Sequence, residues 1–109
     1  MSEEKTIWQD VPYEANLRGM RYTLTSQRVI VESGILSHKR NQLELVTIKR
    51  IDVFQSFGDK ILGRGQVKII GAYNNLDLSN VSNPQRIAEM IRTAMRDEKD
   101  AKVSYREIV

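Results

Sequence analysis

Arg18, Arg21, His38, Lys39 and Arg40 are the side chains of this sequence best placed by type and spacing to do chemistry together. Guanidinium and ammonium groups on neighbouring connections hold phosphate or carboxylate oxygens through charge-assisted hydrogen bonds, so the chemistry they suggest is binding of an anion or a partner. Tyr13 and Tyr73 offer flat surfaces beside them. A second basic set, Arg28, Lys49, Arg50, Lys60 and Arg64, is expected at the opposite end of the domain, so positive charge alone does not mark one mouth. Charge on connections commonly serves only solvation.

Catalysis has little to draw on. The absence of cysteine removes a thiolate nucleophile, a disulfide framework and a Cys-based zinc site. His38 is the single histidine, and its basic neighbours repel a metal cation. The carboxylates fall singly on outward strand positions or on one exposed helix face, without the paired acid and base that proton transfer requires. The reading is therefore non-enzymatic, with no catalytic residue, metal or cofactor implied.

The 109 residues suit one domain. Seventeen basic against fourteen acidic side chains leave +3, enough for weak attraction to anionic surfaces. A nucleic-acid binder usually clusters a larger excess beside stacking aromatics, and here the aromatics are scattered, so nucleic acid ranks last among partners. The opening Met1-Ser-Glu-Glu-Lys-Thr lacks the order of a signal peptide, and no apolar run approaches the ~20 residues of a membrane span. The expectation is a cytoplasmic chain, with peripheral contact at the inner face of the membrane as the alternative.

The elements that must position these residues are mostly strands. Tyr22 to Thr25 alternates apolar and polar residues and is set against the apolar strand Val29-Ile-Val31 across the short Ser26-Gln27 turn, the mark of a β-hairpin. Further alternation predicts seven strands, at about 5 to 10, 20 to 25, 28 to 34, 42 to 47, 50 to 56, 66 to 72 and 76 to 80. Tyr22, Leu24, Val29, Val31, Leu43, Leu45, Ile51, Val53, Val67, Ile69 and Leu78 then face the core. Short connections make the order up-and-down and place residues 11 to 19, 35 to 41 and 73 to 75 on one rim. Phe54 points away from Ile51 and Val53 and is expected to pack beneath the 57 to 65 connection as a satellite of the core.

Asn83 and Pro84 open a helix whose residues Ile87, Met90, Ile91, Ala94 and Met95 share one face, predicting an amphipathic plug over about 84 to 100. Residues 1–100 form the expected domain. Residues 101–109 read as a C-terminal tail that docks or frays.

Several local patterns sharpen this picture: Tyr22-x-Leu-Thr-x-x-Arg28, Val29-Ile-Val-x-x-Gly34, Leu45-x-x-Ile48, Ile51-x-Val53 and Leu62-Gly-x-Gly65-x-Val67-x-Ile69. From about Ile7 to Met95 the chain resembles bacterial pleckstrin-homology (PH) domains of the membrane-flanked type. The resemblance implies a mainly β fold with one C-terminal α-helix, a bent antiparallel barrel of seven strands capped by that helix. It also implies a binding module acting through protein–protein contacts, with a protein partner or a second copy foremost. Binding to an anionic membrane surface through the Arg18, Lys39 and Arg40 rim is the alternative. Two departures stand out. The membrane spans usual beside such domains are missing, and the only Trp is Trp8, not one in the closing helix as in eukaryotic PH domains. The first hairpin loop also supplies just Arg18 and, at its end, Arg21 in place of the dense basic motif of eukaryotic PH domains, which tells against phosphoinositide recognition.

Overall fold

The structure, a computed structural model, describes residues 3–10, 20–34 and 39–108, with side chains as far as Ala101. Seven strands run in chain order: β1 (Thr6–Asp10), β2 (Arg21–Thr25), β3 (Arg28–Ser33), β4 (Lys39–Glu44), β5 (Ile48–Phe54), β6 (Arg64–Gly71) and β7 (Asn75–Ser82). A short helix α1 (Phe57–Leu62) joins β5 to β6, and the long helix α2 (Pro84–Ile108) follows β7. The expected meander holds within two antiparallel sheets, one ordered β1-β2-β3-β4 and the other β5-β6-β7.

The sheets do not close into a barrel. Between them Leu45–Thr47 forms a 3-10 turn where the sequence predicted the end of a strand. Leu43 and Leu45 are both buried, so apolar alternation continues through the turn and imitates a longer strand. Hydrogen bonding shows where the chain leaves the ladder. Leu45 N donates to Gln27 O at 2.9 Å, the Thr47 hydroxyl donates to Glu44 O at 2.7 Å, and Ala72 N donates to Thr47 O at 2.9 Å.

The β2–β3 hairpin is fixed by a side chain in its own turn. Thr25 Oγ1 accepts from Gln27 N and Arg28 N at 3.1 and 3.0 Å and donates to Glu4 Oε2 at 2.6 Å. A hydroxyl bridging the next amides in this way is the mechanism that makes Thr and Ser turn residues. Arg28 Nε lies 2.9 Å from Glu4 Oε2, close enough for an ion pair though not aligned as a hydrogen bond.

The core lies between the sheets and under α2. Tyr22, Leu24, Val29, Leu43, Leu45, Val67, Ile69, Leu78, Val81, Ile87 and Ile91 are buried, with Leu76, Ile48 and Ala94 completing the cluster. Ile51 and Val53 pack against it only half-buried, because β5 is an edge strand. Helix α2 rests on the 3-10 turn, β5 and β6. Its buried Ile87, Ile91 and Ala94 form the predicted stripe, flanked by partly buried Met90 and Met95. The helix continues to Ile108, past the predicted end near 100.

One side chain ties the two sheets at their seam. The β6–β7 register passes from Gly65↔Val81 to Val67↔Leu78, so β7 carries one extra residue there, and Asn80 takes φ 55. The Tyr22 hydroxyl, reaching from β2, donates to Ser79 O at 3.2 Å and accepts from Ser79 N at 3.1 Å. Tyr22 thus satisfies both backbone groups of Ser79 beside the bulge. Burial is the leading cause that raises its pKa above the usual 10.0, opposed by its bonds to Ser79.

Tyr22→Phe strands those two groups and should destabilise the fold by about 1–3 kcal/mol in urea unfolding. Because the folded-state pKa is raised, the protonated phenol's contribution is fully present below pH ~10 and is lost as pH rises through the folded value. The stability difference between wild type and Tyr22→Phe should therefore be constant at neutral pH and shrink in alkali. A difference independent of pH into strong alkali would contradict this account.

Candidate functional site

Two exposed surfaces deserve comparison, one basic and one apolar. The basic one lies at the end of the four-stranded sheet where β2 starts, β3 ends and β4 starts. Arg21 is the cross-strand partner of Glu32, and Glu32 of Arg40, so these three side chains form one row across the outer face. Neighbouring strands are about 4.8 Å apart, which puts the two arginine Cα atoms roughly 10 Å apart with a carboxylate between them. Lys39 lies next in β4, opposite Ser33, and Lys39 and Arg40 are both exposed. The structure thus brings Arg21 and Arg40 onto one face, while Lys39 lies at the same end of the sheet with the opposite parity, on the side of Asn41 and Leu43. Arg18, His38 and Tyr13 lie outside the described residues.

Tyr73 does not belong to that rim. The β6–β7 connection bonds to the opposite end of the fold: Ala72 N reaches Thr47 O, and Asn74 Nδ2 reaches Gln42 O at 3.2 Å. Strand alternation itself accounts for this: successive connections change ends, so the sixth, which carries Tyr73, falls where β2 meets β3 and β4 meets β5, and the expectation that it shares a rim with the first and third is corrected.

The second basic set is also redistributed. Arg28 is paired with Glu4 and lies 3.7 Å from Glu44, while Arg50 donates to Asp52 at 3.0 Å. Lys49 and Arg50 begin β5, whereas Lys60 and Arg64 lie beyond its other end. At ~3.3 Å per residue the length of β5 separates them. These five cations therefore do not form one surface.

The apolar surface is the β5–α1–β6 connection. Ser56 and Asp59 make a reciprocal capping box: Asp59 N donates to Ser56 Oγ at 3.1 Å, and Ser56 N donates to Asp59 Oδ2 at 3.1 Å. Gly63 closes the helix at φ 68, a conformation that favours glycine. Gly63 O then accepts from Asn83 N at 2.9 Å, seating the cap against the start of α2. Gly65 is required by close approach. A Cβ there would lie 2.6 Å from Gln55 Cγ, 2.8 Å from Phe54 O and 2.9 Å from Pro84 Cγ.

This well-defined helix buries none of its own residues. Phe57 is 82% exposed, Ile61 71% and Leu62 72%, and Phe54 beside them is 53% exposed. The expectation that Phe54 packs beneath the connection is thus overturned, because the connection is a raised helix and not a folded-back loop. Sequence reading did not identify this helix, although Ser56-x-x-Asp59 and Gly63 are its start and stop signals.

Elsewhere an open groove of about 400 Å³ runs between β1 and α2, with Ile7, Met90 and Ala94 as its apolar lining and Arg86, Glu89, Thr93 and Asp97 around them. Among the described residues no three His, Cys, Asp or Glu side chains cluster as metal ligands. None of the described helices is long and apolar enough to cross a membrane.

Comparison with protein families matches residues 12–102 to the Bacterial PH domain model. The chain belongs to the bacterial PH domain family. No curated protein and no solved structure matches it.

If the cap is a surface feature, Phe57→Ser with Leu62→Ser should change unfolding free energy by less than about 0.5 kcal/mol. Gly65→Ala, which crowds the seat beneath it, should cost about 1–3 kcal/mol. A larger loss from the serine pair than from Gly65→Ala would show that the cap belongs to the core.

Proposed function

We propose that this bacterial PH domain is a non-enzymatic binding module that works through protein–protein contacts, with the α1 cap as its contact surface. The observation that carries this reading is the group of four exposed apolar side chains on an element whose backbone is capped at both ends. Isolated exposed apolar residues are ordinary, but a contiguous patch of them on a fixed scaffold is characteristic of interaction sites. A photo-reactive phenylalanine analogue at position 57, irradiated in cells, should yield discrete protein adducts. The same probe at Arg96, exposed on α2, should not. Adducts to lipid alone from position 57 would overturn the reading.

A second reading, attraction to an anionic membrane surface, draws on the Arg21, Lys39 and Arg40 end. Arg21 and Arg40 flank the carboxylate of Glu32 on one face there, and Lys39 adds a third cation at the same end of the sheet on the other face. Such attraction grows with anionic lipid and weakens as salt screens it. Lys39→Glu with Arg40→Glu should then abolish binding to phosphatidylglycerol-containing vesicles at low salt. Full retention of binding would remove this end from consideration.

A further inference from the structure

The exposed cap invites the question of what covers it, and its charge pattern narrows the answer. Residues 54 to 63 carry two charged side chains, Asp59 and Lys60, which cancel. An anionic bilayer is drawn to apolar helices ringed by basic residues, and only Arg64 at the edge adds such a charge. The surface is instead suited to itself. An apolar centre with adjacent charges of opposite sign allows a two-fold axis to lay Phe57 and Leu62 against their equivalents. The same axis brings each Lys60 toward an Asp59 carboxylate of the other copy.

The area is sufficient. At their exposures, Phe54, Phe57, Ile61 and Leu62 present roughly 600 Å² of side-chain surface on one copy, at the top of the range for the largest patch on a monomer. Two copies would bury at most about 1,200 Å², with all of that surface covered, which just reaches the lower bound for a specific interface. The capping box and Gly63 fix the backbone before any encounter, which lowers the ordering cost of association.

We infer that the α1 cap is an isologous dimer interface, with Phe54, Phe57, Ile61 and Leu62 of one copy packed on the same residues of a second copy of this chain. This rests on the protein-contact reading above and names its partner. The symmetry follows from the surface being self-complementary, since each copy presents both halves of every contact. An interface of this size, with its apolar centre on four side chains, is expected to dissociate in the micromolar range.

Sedimentation of the whole chain across a concentration series tests it. Wild type should pass from monomer to dimer with little dependence on salt. Phe57→Asp with Leu62→Asp should weaken the dimer about 100-fold while keeping the melting curve that wild type shows at concentrations low enough to be monomeric. The milder Phe57→Ser with Leu62→Ser serves if the aspartates disturb folding. Because the chain has no cysteine, Ile61→Cys provides an independent readout. It should oxidise to a disulfide-linked dimer, and Arg96→Cys should not.

A wild type that stays monomeric, with Ile61→Cys no faster to cross-link than Arg96→Cys, overturns the inference. So does a dimer indifferent to both substitution pairs. A monomer that binds phosphatidylglycerol vesicles through Phe57 and Leu62 overturns it in favour of a membrane. Adducts from position 57 to a protein other than this chain would sink the second copy but leave the protein-contact reading standing. Adducts to lipid alone would sink both.

Discussion

The hydrogen bonds between the Tyr22 hydroxyl and the backbone of Ser79 are the constraint on which the two-sheet arrangement depends. β2 and β7 belong to different sheets and share no ladder, so their relative placement must come from side chains. Apolar packing is non-directional and tolerates sliding. A buried hydroxyl that must meet both a donor and an acceptor on one residue does not. The extra residue in β7 supplies that pair, and Asn80 accepts the positive φ needed to make it. Once β7 is placed, Val81 and Pro84 fall into buried positions, and α2 starts where it can cover the core. Leaving such groups unmade costs more than making them gains, so the pair acts chiefly by penalising every other registration.

Much of this was legible in the sequence, for a specific reason. Period-two alternation reports one-sided burial, which β6 and β7 show residue by residue, while the apolar content of β2 and β3 marks strands buried on both faces at their middle. The α2 stripe was equally plain, since Ile87, Ile91 and Ala94 recur at helical spacing. The failures come where burial and backbone form part company. Leu43 and Leu45 keep the alternating burial of a strand while the chain turns through a 3-10 helix, and this misreading closed the expected strands into a barrel. Tyr73 was misplaced for a separate reason: successive connections change ends, so the sixth cannot share a rim with the first and third. The Tyr22 bridge was hidden differently. Tyr22 was read correctly as core, but nothing local to it specifies the Ser79 backbone as its partner, 57 residues away.

The candidate sites divide along the same line. Arg21, Lys39 and Arg40 were found because charged residues announce themselves by type, and the pairing of β2, β3 and β4 then placed Arg21 and Arg40 in one row, with Lys39 at the same end on the other face. Their row also contains Glu32, whose position could be known only from register. A cation alternating with a carboxylate across a sheet gains cross-strand stabilisation, and this structural use competes with any demand for an anion. The basic end can therefore owe its composition to the sheet itself.

Among the described residues no comparable contact within the monomer accounts for the cap. Ordering each of its residues costs about 1–2 kcal/mol of backbone entropy, and the capping box, the Gly63 turn and the bond from Asn83 N to Gly63 O offset part of that. In an ordinary helix the remainder is supplied by an apolar face buried on the protein. Here the face formed by Phe57, Ile61 and Leu62 points to solvent and contributes almost nothing while the chain is alone. A flexible polar hairpin would join β5 to β6 with fewer requirements and without exposing this surface. The apolar residues on so fully specified a backbone stabilise the fold little as long as they stay exposed.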